Sequence, residues 1–386
     1  ASWQVVARTD LIPPANEYNI AAWETRNFPN KWLFLAGEAI HGKAPEAKQD
    51  EVLARFFDLT KQIEALEPKV SDANQQASPE AESLVTQLND LRRERDSLEN
   101  QAEATIEGRI TQVLKEQGLE RDFLASLVWP PVDTEFTDAP RTLAISPRDR
   151  IELSETSLLR EDLSIVDVEN IEDQTASEDN VSALAFPLGG LGAYPTIVDY
   201  PDNYEDAVAT VAHEWMHNYL FFRPLGFNYY KDNDVRTINE TVADLVGHEI
   251  AGIVVDRWPL PSRGSTGGAQ QPTRQPGIDV GAELRALRGE VDVLLAQGKV
   301  DEAEALMEQR REELAAQGYY IRKINQAYFA FLNLYSGAAG SGASTNPIGP
   351  KVDELRAKTG SLHDFVSVIG SVTSVAELDQ ALAALQ

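Results

Sequence analysis

Apolar residues recur at helical spacing through most of this chain, and at strand-like spacing in only one stretch. Val208, Val211, Ala212, Trp215, Met216, Tyr219 and Phe222 clothe one helix, which Asn203 opens as N-cap with Asp206 three residues on, and which Arg223-Pro224-Leu225-Gly226 stops. Ile238, Val242, Leu245, Val246, Ile250 and Ile253 mark a second apolar stripe, while Glu240, Asp244 and His248 recur every four residues on a different face. Residues 46–66 read as a helix. Ser78-Pro79 opens a long polar one, running to about residue 116, with Leu84, Leu88, Leu91, Leu98 and Ala102 along a heptad seam that Arg95 and Thr105 interrupt. Val280, Leu284, Leu287, Val291 and Leu294 step by four and three before a turn at Gly298-Lys299 and a further helix from about residue 301. These long segments are expected to pack into an antiparallel hairpin or short coiled coil projecting from the core, the alternative being separate amphipathic helices lying on it. Strands are expected at 142–146, 150–154, 183–187 and 194–200.

The fold class that follows is α+β and predominantly helical, with a small mixed sheet, a helical C-terminal lobe and long coiled-coil-like helices. Composition changes divide the chain into an N-terminal arm (1–45), long helices (46–117), a core (118–257), a linker rich in Pro, Gly, Ser and Gln (258–279), a helical hairpin (280–335) and a C-terminal helical segment (336–386) that Leu355, Leu362, Phe365, Val366 and Ile369 close. With 386 residues and 42% hydrophobic content, the chain can bury a large core. Its formal charge of −28 argues against nucleic acid and anionic membrane surfaces as partners, because phosphate binding needs a positive footprint. No apolar run approaches the roughly 18 residues of a membrane span, and the absence of cysteine leaves redox compartment open. Residue 1 is Ala rather than Met, which is read as an extracytoplasmic chain freed of a leader or anchor.

The chemistry sits on the first of the two apolar helices, in His213-Glu214-Trp215-Met216-His217. Imidazoles four residues apart return to one face of a helix and can reach one ion, forming half of a tetrahedral zinc site. Glu214 is placed beside that ion to take a proton from the water it activates and to pass it to a leaving amine. Two histidines and a glutamate in so apolar a helix are costly to bury without partners, and a metal supplies one. Asn239-Glu240-Thr241-Val242-Ala243-Asp244 begins 22 positions after His217 and offers Glu240 as third ligand, leaving a fourth position for water. Asp244, one turn on, is placed to take a proton from the far nitrogen of a ligating His.

HEWMH followed by NETVAD resembles the gluzincin zinc metallopeptidases, the thermolysin-like and aminopeptidase-like group, over His213 to Asp244. The resemblance implies a zincin-like catalytic core with His213, His217 and Glu240 as zinc ligands, Glu214 as general base and Asp244 as the carboxylate that orients a ligand. The gap to Glu240 is longer than usual for the group, and a loop containing Phe227-Asn228-Tyr229-Tyr230 is expected to absorb the difference. The metzincin extension is absent, since Leu220 and Arg223 stand where it needs Gly and His. Gluzincins also set an edge strand beside the metal, a role that falls here to Leu191 to Tyr200. The glutamate with which the group's aminopeptidases grip an amino terminus has no counterpart in Gly192-Ala193-Tyr194-Pro195-Thr196. For the donor opposite the zinc, Tyr328 is preferred, because Asn325 precedes it by one turn; Tyr335 and His248 are the competitors.

The expected function is a zinc-dependent endopeptidase or aminopeptidase acting on peptide or protein substrates, with the coiled-coil arm recruiting a partner or self-associating. The alternative is a non-enzymatic scaffold or binding protein whose zinc site is vestigial or structural. A scaffold has no requirement for a glutamate between the histidines or for an open coordination position.

Overall fold

The computed structural model describes residues 12–27, 45–76, 78–121, 127–260, 278–335 and 345–385. The chain is mostly helical with small sheets, the α+β class expected. Most of the N-terminal arm, most of the 258–279 linker and most of the glycine-rich stretch near 340 lie outside the described residues.

Two long helices come first, α1 (Glu46–Gln75) and α2 (Ala81–Glu116), packed side by side as a hairpin. The first outruns its expected end at residue 66 and passes through Pro68. A proline there removes a helical hydrogen bond. Val70 and Ala73 beyond it nevertheless bury, and Val70 joins Ile63 and Leu66 against Leu88 of α2.

The heptad seam of α2 stays against α1 but passes from one apolar cluster into another along its length. Leu84, Leu88 and Leu91 pack on α1, whereas Ala102, Ile106, Ile110 and Val113 enter the main core. Arg95, the polar break in the seam, lies at the crossover with its guanidinium 3.3 Å above the Tyr200 ring. The expected packing of this seam on the later helices is therefore not what forms. The helices α6 (Val280–Ala296) and α7 (Val300–Ala316) make a hairpin of their own, buried on Ile324 and Phe329, with Gly298 at φ +73° in the turn.

Between these helical regions lie short strands: β1 (Glu120–Arg121) and β2 (Leu127–Val128) pair with each other, and β3 (Thr134–Phe136), β4 (Arg141–Pro147), β5 (Glu155–Leu159), β6 (Val181–Pro187), β7 (Gly190–Leu191) and β8 (Thr196–Val198) make two three-stranded sheets. In one, β4 is flanked antiparallel by β5 and β6, with α3 (Ile165–Asp179) crossing between them. In the other, β8 lies between β3, parallel, and β7, antiparallel. Two expectations change. Residues 150–154 form the turn into β5, tied down by the Ser154 N–H on Ile145 O and the Glu152 N–H on Ser146 Oγ, so the strand starts five residues later. The 194–200 segment holds the central strand β8; the edge is β7, just upstream. Two buried carboxylates of α2 fix this sheet from below: Glu107 accepts the Thr134 N–H at 2.8 Å and Glu103 the Phe136 N–H at 2.7 Å.

The centre of the molecule is the pair α4 (Tyr204–Leu220) and α5 (Asn233–Arg257). As expected, Asn203 caps α4 by accepting the Asp206 N–H. The two helices approach closely at Gly247, where a Cβ would stand 2.7 Å from the Ala209 carbonyl oxygen. Helix α8 (Gln326–Leu332) packs on β4 and β6, and α9 (Ile348–Lys358), α10 (Leu362–Ile369) and α11 (Val375–Ala384) complete the main core. The C-terminal residues Leu355, Leu362, Phe365, Val366 and Ile369 are all buried there, against α4 and α5 rather than in the lobe of α6 and α7. Among the described residues, no helix is long and apolar enough to cross a membrane.

Candidate metal centre

The close crossing of α4 and α5 sets three side chains against one another. His213 and His217, one turn apart on α4, hold their Nε2 atoms 3.0 Å from each other. Glu240 of α5 brings its Oε2 to 3.6 Å from His213 Nε2 and 3.5 Å from His217 Nε2. A tetrahedral zinc ion with bonds of about 2.0–2.1 Å requires donor atoms about 3.3–3.4 Å apart. The three edges of this triangle bracket that value, and two imidazole nitrogens with one carboxylate oxygen suit zinc. The residues present therefore fit the ion that the motif calls for.

Two of the three ligands are hydrogen-bonded from behind. His217 Nδ1 donates to Asn239 Oδ1 at 2.7 Å, which leaves Nε2, the atom facing the triangle, as the nitrogen that a metal would bind in place of a proton. The other carboxylate oxygen of Glu240, Oε1, accepts a hydrogen bond from the Tyr229 hydroxyl. Asp244, expected to accept the proton of a ligating His, stands on the Nδ1 side of His213 with Oδ1 at 4.0 Å, an ion-pair rather than a hydrogen-bond distance, and it is shared with His248 Nε2 at 3.7 Å. His248 itself is half exposed.

The charges in the cluster bias one another. Burial works to lower the His217 pKa, yet the Glu240 charge and hydrogen bond, helped by Glu214 and Asn239, lift it to about 9. Burial works in the opposite sense on Glu240, but the two imidazoles outweigh it and hold that carboxyl well below the usual carboxylate range. For Glu214, burial dominates and raises its pKa, with His213 and His217 pulling back.

Glu214 reaches the site because β7 has no side chain in its way. A Cβ at Gly190 would lie 2.6 Å from Glu214 Oε1, and one at Gly192 would lie 3.4 Å from His217 Cβ. Glu214 borders two cavities. One, of about 110 Å³, runs past His217, Tyr229 and Glu240; the other, of about 490 Å³, runs past Asp244 and His248. His213, Glu214, Gly190 and Tyr335 line both.

The structure thus brings together His213, Glu214, His217, Glu240 and Asp244, and leaves Tyr328 out. Tyr328 lines neither cavity; its ring packs 6.2 Å from Phe186 and 5.5 Å from Phe329. Asn325, one turn before Tyr328, caps α8, accepting the Tyr328 N–H and donating to the Ala183 carbonyl. Helix α8 ends at Leu332, and the chain turns so that Tyr335 faces the cleft. Burial, followed by the Glu240 charge, pushes the Tyr335 phenol well above its ordinary pKa, so it is a hydrogen-bond donor at neutral pH. The supporting roles of Asn239, Tyr229 and Gly190 were not assigned from sequence. Only Asn239 carried a signal, by adjoining Glu240. No known protein family, curated protein or solved structure matches the chain.

Proposed function

We propose that this protein is a zinc-dependent peptidase of gluzincin type with a zincin-like core, in which His213, His217 and Glu240 hold the ion. The observation that carries the reading is the convergence of three ligand atoms from two helices at tetrahedral spacing beside a glutamate that opens onto cavities. A bound zinc ion lowers the pKa of a water molecule to about 7 and polarises a carbonyl. Glu214, which lines both cavities beside the ligands, would take the proton of the attacking water and return it to the departing amine. Tyr335 replaces Tyr328 as the donor to the oxygen that gains charge. β7, the edge of its sheet, is the strand along which an extended substrate backbone would pair, and its glycines keep that approach clear. The missing counterpart of the amino-terminus-gripping glutamate in Gly192-Ala193-Tyr194-Pro195-Thr196 favours internal cleavage over removal of single terminal residues.

The test is incubation with a mixed peptide library and mass spectrometry of the products, before and after chelation, with Glu214→Gln in parallel. The wild type is expected to carry about one zinc per chain and to make internal cuts that chelation abolishes. Glu214→Gln is expected to keep the metal while activity falls on the order of 10²–10⁴-fold. Metal retention by a wild type that cuts nothing would sink the peptidase reading.

A further inference from the structure

We infer that Tyr229, braced by Arg236, is a positioning residue that restricts Glu240 to one-oxygen ligation and so preserves the open coordination position. The inference rests on the metal-site reading above.

The direction of each hydrogen bond follows from the donors available. Arg236 can only donate, and its Nε lies 3.1 Å from the Tyr229 oxygen. The phenolic proton is therefore free to point the other way, into Glu240 Oε1. The guanidinium carbon also stands 5.3 Å from the centre of the Tyr229 ring, and that ring meets His217 edge-on at 5.9 Å, so the phenol is held on two sides. With Oε1 occupied, only Oε2 faces the imidazoles. A carboxylate that swung both oxygens onto a zinc ion would fill the place a water needs.

The local sequence explains how a tyrosine comes to be there. Pro224 starts a single helical turn after Arg223, and Gly226 lets that turn fold hard against the end of α4: a Cβ at Gly226 would stand 2.2 Å from the Leu220 carbonyl carbon. The Tyr229 N–H bonds back to the Gly226 carbonyl, which aims the following side chain under α5. Arg236 sits one helical turn before Glu240 on the same face of α5, so brace and ligand move as one body. The long interval between the second and third ligands therefore has a use: it delivers the phenol.

The experiment compares full-length wild type with Tyr229→Phe, which removes one hydroxyl, and with Arg236→Lys, which keeps the charge but loses the Nε donor. Zinc affinity is measured by chelator competition, and the visible absorption of the cobalt-substituted protein reports coordination number. Tyr229→Phe is expected to bind zinc about 10–100-fold more weakly and to show the weaker cobalt bands of a higher-coordinate ion; Arg236→Lys is expected to shift both the same way by less. Equal affinity and an unchanged cobalt spectrum in Tyr229→Phe would overturn the inference while leaving the peptidase reading intact. Conversely, metal that binds as described in a wild type without hydrolysis would sink the peptidase reading and leave Tyr229 its role. Should Tyr229→Phe fail to fold, Arg236→Lys alone carries the test, and its unaltered spectrum and affinity would overturn it.

Discussion

Among the described residues, two groups of three ionisable side chains each bring one oxygen or nitrogen atom per residue within 4.8 Å of one another, His213-His217-Glu240 and Glu99-Glu103-Glu135. On proximity alone they are equals. Their surroundings separate them. In the first group the atoms facing inward are lone-pair donors, and the outward atoms are committed to Asn239 and Tyr229. In the second, all three members are acids, and their oxygens are engaged in the fold: Glu103 holds the Phe136 N–H, and Glu99 Oε2 accepts from the Tyr200 hydroxyl at 2.9 Å. The first group opens onto the cleft, whereas the second is packed where α2 meets the sheet. Closeness of titratable groups does not make a site; donors aimed at a common point, with access to it, do.

The largest effect that can break this contrast is on metal content. His217→Ala removes one side of the triangle and is expected to take zinc from about one per chain to nearly none, whereas Glu99→Gln should leave it unchanged. Elemental analysis of the two purified variants checks both. If Glu99→Gln lost metal and His217→Ala kept it, the two groups would have to exchange roles. Next in size is Tyr335→Phe, which should keep its zinc and its KM while kcat falls about 10²-fold. An unchanged kcat would remove Tyr335 from the chemistry.

The smallest effect is on stability, and it sharpens the account of the acidic group. Burial, then the Glu103 charge, pushes the Glu99 pKa up to about 8, with the Tyr200 hydrogen bond opposing. Between the ordinary carboxylate value and pH 8 the folded chain keeps a proton that the unfolded chain has released, so stability falls as pH rises through that window. A glutamine cannot ionise, so Glu99→Gln should unfold a few degrees higher than wild type near pH 9 and at the same temperature near pH 4. Thermal melts at the two pH values measure it; parallel curves for both proteins would show that Glu99 does not titrate as described.

What could be read along the chain was whatever depends on local spacing. The i,i+4 histidines, the Asn203 cap and the apolar stripes of α4 and α5 are properties of single helices, and they lie where their spacing put them, except Phe222, which falls beyond the end of α4 at Leu220 and is exposed. The break at Arg95 was visible too, although its meaning was not: it marks the point where α2, still paired with α1, enters the main core, and only the position of Tyr200, about a hundred residues away, explains it. Tyr328 and Tyr335 show the limit. Seven residues apart, they would share a face of a continuous helix, but α8 stops at Leu332, and the end of a helix is among the least local of features. Similarly, Glu103 and Glu107 look like solvated charges until β3 supplies their N–H partners.

Helix α2 has a mechanical corollary. Its 36 residues form one unbroken rod of about 54 Å, gripped at one end by the main core and pinned to β3 through two carboxylates, with the other end, among the described residues, packed on α1. There is no hinge along it. Whatever takes hold of the tip turns the whole body, and the sheet bordering the cleft turns with it.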